Sequence, residues 1–166
     1  MQVLELTIAG KGFVLPTAWV EEVVPAVRTR DLADAPAWIR GVFDHRGSLI
    51  PLLDLHLLVD EEAARTLTGS RIIIVGVQVH SSGDVVEDPS EAPVVPRHTI
   101  GLMVERIQEV LEVESAGEND FPGVAVESRP YLREILHGED RTLQLIDPDR
   151  ILRAEHQEIL FGSHSG

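Results

Sequence analysis

The chain has 166 residues, 43% of them hydrophobic, with 14 basic against 28 acidic side chains and no cysteine. Such a chain can bury the core of one globular domain or of two closely packed halves, while a formal charge of -14 disfavours nucleic-acid phosphates and anionic lipid surfaces, which repel it at long range. Disulfides, thiol nucleophiles and thiolate-bound zinc are excluded, and no apolar run approaches the about 18 residues of a membrane-spanning helix.

The N-terminal "MQVLELTIAG" alternates like a strand, without the basic start and apolar block of a secretory signal, so a cytoplasmic protein is expected. Strands are expected at 3–8, 12–16, 19–27, 39–45 and 48–55, rich in Val, Ile and Leu and broken by Gly, Pro and Asp. Residues 57–67 have helical spacing. Strands resume at 71–79, 98–105, 107–113 and 142–147, and 149–161 reads as a C-terminal helix packed on the sheets. Between strands, 80–97 is rich in Pro, Ser and acidic residues, with its acidic part at 84–96, and 115–123 is a second loop. The tail 162–166 is expected to fray. The class is therefore all-β, as barrels or sandwiches with few helices.

Two internal echoes organise the chain. "VEEVV" (20–24) returns as "IQEVL" (107–111), and "LIPLLDL" (49–55) returns as "LQLIDPD" (143–149), with Asp54 and Asp147 each closing an apolar run. Two echoes in the same order at similar offsets point to related β halves, roughly 1–68 and 69–166, with strands open to exchange between them. Halves this small bury too little surface alone. They should pack together, leaving a groove at their junction where a ligand or partner element can bind.

The chain offers little catalytic equipment. Ser48 lies in no G-x-S-x-G elbow, and neither a G-x-x-x-x-G-K-S/T loop nor a G-x-G-x-x-G turn occurs, so no cofactor is expected. His45, His56, His80 and His98 lack metal-ligand spacing. The carboxylates Glu21, Glu22, Glu61, Glu62 and Asp54 read as a solvated acidic face in preference to an acid–base pair. Trp19 and Trp38 are expected as large core or junction residues in a chain with 4% aromatics. Val23 and Val24 are adjacent on one strand, so one faces outward unless both sides are covered.

The stretch "GVFDHRGSLIPLLDL" (41–55) resembles the signature of CheW-like chemotaxis coupling proteins, with Gly41, Asp44, Arg46, Gly47, Pro51, Asp54 and Leu55 in register. The resemblance continues through "WVEEVVP", "RIIIVGV", "IGLMVERIQEVLEV" and "PYLREILHGEDRTLQLIDPDRIL". It implies two SH3-like five-stranded barrels packed around a groove. It also implies a non-catalytic adaptor in the cytoplasm, recruited to membrane-associated arrays, that joins the cytoplasmic tip of methyl-accepting chemoreceptors to the regulatory domain of a CheA-type histidine kinase. Carried over by position, the receptor groove would use Leu4, Val20, Val23 and Ile107 as apolar lining and Arg46 as polar anchor, with Glu22 at a position linked to coupling. Each valine is equally readable as core, whereas for Arg46 the groove anchor is favoured over a strut paired with Asp44 or Asp54. His45 stands where the family usually has leucine and Glu105 where it has aspartate; with the long acidic loop, these departures suggest an alternative, non-flagellar pathway. A second class stays open: a small-ligand-binding or enzymatic barrel using Arg46, with His45 or His56, on an anionic ligand.

Overall fold

The computed structural model describes residues 1–60, 69–77, 98–113, 131–137, 142–152 and 160. Within them ten strands form two five-stranded sheets. The first holds β1 (Gln2–Ile8), β2 (Lys11–Pro16), β8 (Arg106–Glu112), β9 (Leu132–His137) and β10 (Thr142–Ile146), in the order β8-β1-β2-β10-β9. The second holds β3 (Val20–Pro25), β4 (Ile39–His45), β5 (Ser48–Asp54), β6 (Arg71–Val77) and β7 (His98–Val104), in the order β3-β6-β7-β5-β4. The second sheet is thus one continuous insertion between β2 and β8, and residue 68 falls inside its span. Of the helix expected at 57–67, the start lies in α1 (Leu55–Val59) and 61–67 lie outside the described residues; of the helix expected at 149–161, the described part is a 3-10 turn at Pro148–Arg150, then 151–152 and Leu160, which is half-buried against the core, and 153–159 and 161 lie outside the described residues. The acidic loop, the 115–123 loop and the remaining tail lie outside the described residues. A strand at 132–137 was not expected: Leu132, Ile135 and Leu136 lack strict alternation, and it is antiparallel pairing with β10 that holds the segment extended.

The two sheets repeat one plan. In each, the successive neighbours are antiparallel, antiparallel, parallel and antiparallel. Strand β3 therefore corresponds to β8, β6 to β1, β7 to β2, β5 to β10 and β4 to β9, which places both sequence echoes on equivalent strands. The register agrees residue by residue: Leu52 pairs with Gly101 across the parallel step of one sheet, and Leu145 with Val14 in the other. Each edge strand carries one extra residue at the same place, between Val20 and Glu22 in β3 and between Ile107 and Val110 in β8. Asp54 accepts hydrogen bonds from the His56 and Leu57 amides, and Asp147 from the Asp149 amide, so both aspartates cap the turn after equivalent strands.

Alternation divides the apolar residues into three cores. Leu4, Leu6, Ile8, Phe13 and Leu15 of the first sheet pack on Ile73, Val75, Val77, Ile100 and Leu102 of the second, with Trp19 buried and Trp38 half-buried in the same cluster. This is the junction role expected of the tryptophans. The opposite faces each close over a smaller core: Val3, Leu136, Leu143 and Leu145 in one sheet, and the equivalent Ile72, Phe43, Ile50 and Leu52 in the other. Where the first sheet has Val14 beside Leu136, the second has Gly101 beside Phe43. A Cβ on Gly101 would lie 2.9 Å from the Phe43 ring and from Ile72 Cγ2, so the larger ring uses the volume that the missing side chain leaves.

Candidate functional site

The pair His45↔Ser48 ends the β4–β5 hairpin and leaves Arg46 and Gly47 as a two-residue turn. Their φ values of 53° and 84° are both left-handed, the requirement of the primed turns that match strand twist. Glycine adopts this freely. Arginine does so at a cost, offset locally by the Gly47 amide donating to Asp44 Oδ1 at 3.1 Å. The turn projects Arg46 outward, with its side chain 76% exposed, and Nη2 donates to Glu22 Oε1 at 3.0 Å. His45 Nε2 lies 3.2 Å from the other carboxylate oxygen, Oε2. Glu22 sits on β3 and His45 at the end of β4, the two opposite edges of one sheet. Their contact bridges the two edges of the sheet at what would be the mouth of the barrel.

The strut expected between Arg46 and Asp44 or Asp54 is therefore formed with Glu22 instead. Asp44 is occupied by the turn amide. Asp54 is buried at the far end of β5, about 20 Å along a seven-residue strand. There Arg40 holds it, through Nε at 2.8 Å and Nη2 at 2.7 Å, while its other oxygen caps α1. Gly41, beside Arg40, has φ 130° and lies against the Arg30 carbonyl, where the 30–42 backbone bridge covers the outer edge of β4.

The structure separates the expected apolar lining from this ion pair. Val20 pairs with Val75, Val23 with Ile73, Leu4 with Val110 and Leu6 with Ile107, and their partners Val75, Ile73, Leu4 and Leu6 all belong to the inter-sheet core, so this set shares that face. Leu4 is buried in it, and Val20 and Ile107 are half-buried at its rim. Only Val23 is open, at 43% exposure. Glu22, paired with Ile74 of the smaller barrel core, faces the opposite way, 31% exposed at the barrel mouth beside His45. The site is thus a polar clasp on one face of β3 and an exposed valine on the other.

Three exposed apolar residues were not singled out from the sequence, of which Val27, 45% exposed, lies past the end of β3. Val110, 52% exposed, is the β8 equivalent of Val23, and the "VEEVV"/"IQEVL" echo was the signal that could have found it. Leu49, 59% exposed two residues after the Arg46–Gly47 turn, gives no such signal, since its apolar run reads as buried throughout. Glu105 binds within the fold: its Oε2 accepts from the Gly10 amide at 3.2 Å and lies 4.0 Å from His56 Nδ1, tying the β1–β2 turn to α1. His56 is therefore not beside Arg46. Among the described residues, no group of three or more His, Asp or Glu side chains gathers as a metal-ligand set. Chemically, the clasp offers charge-assisted hydrogen bonds to a carboxylate or to a basic group.

Comparison with known proteins bears on this geometry. The family model described as "CheW-like domain" matches residues 2–156. A chemotaxis protein CheW from Rhizobium meliloti (strain 1021) is 22% identical over 158 residues, covering 95% of this chain and 90% of that protein. The crystal structure of the scaffolding protein TtCheW from Thermoanaerobacter tengcongensis superposes with a TM-score of 0.72 at 21% identity, over 93% of this chain and 89% of that one. The two-sheet fold is shared with that structure.

Proposed function

The chain belongs to the CheW-like domain family, and from that premise we propose that it is a non-catalytic adaptor coupling methyl-accepting chemoreceptors to a CheA-type histidine kinase in a chemosensory array. The observation that carries this reading is the family match across residues 2–156, nearly the full chain, so that no separate catalytic module has to be accommodated within it. The surface suits the role. Arg46 presents a guanidinium with donors to spare, and Val23 adds an exposed apolar contact on the other face of β3 from Glu22, so that a partner lying along this edge strand reaches both. An acidic, apolar-ridged helical tip can be fixed in register by such a combination. The site residues proposed for this contact are Leu4, Val20, Glu22, Val23, Arg46 and Ile107, with Leu4 supporting the others from the core.

The kinase regulatory domain is the second proposed partner, and the cytoplasmic face of a receptor array the proposed place of action. Nucleic acid is disfavoured by the charge of -14. The alternative, a barrel binding a small anion through Arg46 with His45 or His56, is less supported. His45 contacts the Glu22 carboxylate and His56 lies against Glu105, so neither histidine is set to share an anion with Arg46.

Reconstitution tests the reading: kinase autophosphorylation is measured with receptor and kinase, with and without this protein. Receptor control of the kinase should appear only when the protein is added. An unchanged kinase, together with a thermal shift in a screen of small anions, would replace coupling by ligand binding.

A further inference from the structure

We propose that His45 is a positioning residue that frees Arg46 for a partner's carboxylate by retaining Glu22, an inference that rests on the coupling role above. Glu22 is shared. Arg46 takes Oε1 at 3.0 Å and His45 takes Oε2 at 3.2 Å, so the two cations or donors do not compete for the same oxygen. Their environments differ sharply. The Arg46 side chain is 76% exposed, whereas that of His45 is 19% exposed, with its ring set edge-on to Phe43 at 6.4 Å between centroids. Arg46 is thus the exposed member of the clasp and His45 the enclosed one. Among the described residues Arg46 is engaged through Nη2 alone, which leaves the remaining guanidinium donors available.

An acidic side chain arriving on this surface must draw Arg46 away from Glu22. Without a second partner, that exchange leaves a half-buried carboxylate uncompensated and lets the β3 and β4 edges part. With His45 in place, Glu22 stays held by Nε2, the barrel mouth stays shut, and the incoming carboxylate takes over Arg46 without the loss of a pair. Neutral imidazole with its proton on Nε2 and imidazolium both serve. Asp44, the other charged group at this end of β4, is occupied by the Gly47 amide and leaves the exchange to Glu22.

The experiment measures binding of the full-length protein to a soluble cytoplasmic-tip fragment of a methyl-accepting chemoreceptor from the same genome. His45→Leu should weaken binding about two- to five-fold, the worth of one exposed ion pair. His45→Gln, which keeps a side-chain N–H, should restore it. In a Glu22→Gln background, where no carboxylate needs holding, His45→Leu should have no further effect. Wild-type affinity in His45→Leu, failure of His45→Gln to rescue, or an equal loss in the Glu22→Gln background overturns the role given to His45. Absence of binding by the wild-type protein instead overturns the coupling reading, and the inference with it.

Discussion

Glu22, on edge strand β3, and Arg46, in the turn that follows the opposite edge strand β4, are 24 residues apart in the chain and meet at 3.0 Å. Strands β3 and β4 are first and last in the order of that sheet, so the contact bridges its two edges through side chains. The same contact presents the arginine of the signature turn at the surface, already oriented. Structure and proposed recognition therefore share one ion pair.

Arg46→Ala is expected to lower stability by less than about 1 kcal/mol, because the pair is largely exposed, which for a chain of this size is a melting shift of about 2–4 °C. Arg46→Gly removes the same pair but relieves the left-handed backbone, and should melt at or above Arg46→Ala. Both should weaken binding of the receptor-tip fragment alike. Thermal denaturation alongside isothermal titration separates the effects; a collapse of melting temperature in Arg46→Ala would make the clasp a structural strut first.

Val23 and Val110 occupy equivalent, exposed places on the two edge strands, so replacing either by serine should leave stability within about 0.5 kcal/mol. Val23→Ser should reduce affinity for the receptor-tip fragment and Val110→Ser should leave it unchanged, since only Val23 adjoins the clasp strand. Equal losses from both would move the receptor contact to a surface spanning both sheets.

Gly41 and Gly47 both have positive φ, at 130° and 84°, yet their substitution should differ greatly. A Cβ on Gly41 would overlap the Arg30 carbonyl, whereas one on Gly47 meets open space. Gly47→Ala should cost about 1–2 kcal/mol, the left-handed penalty alone. Gly41→Ala should cost more than about 4 kcal/mol or prevent folding, because the backbone bridge from Arg30 to Val42 must open. Urea denaturation of the two variants checks the ranking.

Phe43 and Gly101 fill together the volume that Leu136 and Val14 fill in the equivalent sheet. Gly101→Ala should cost about 1–3 kcal/mol by overpacking, and Phe43→Leu about 1–2 kcal/mol by leaving a gap. Because the inserted methyl group enters the vacated space, the double variant should be more stable than the sum of the singles implies, by at least about 0.5 kcal/mol. Additive losses in chemical denaturation would mean that the two residues do not share that volume.

Local sequence determined most of the strands, the aspartates that cap the turns after β5 and β10, the Arg46–Gly47 turn and the family signature, since each is written in neighbouring residues: alternation, a capping side chain, a glycine beside a polar turn. Even the shared plan of the sheets was present, as two echoes that lie on equivalent strands. Tertiary structure alone decided which edges meet. Alternation says that Glu22 and Val23 face opposite ways but not which way is the barrel mouth, so it could not pair Glu22 with Arg46, bury Leu4, or leave Val110 open. It also could not divide the chain into one sheet inserted within another, or make a strand of Leu132–His137, because both depend on pairing with residues distant in the chain. The partner of a strand edge is a non-local choice, set by how closure of each barrel and the shared core between them bury the most apolar surface at once.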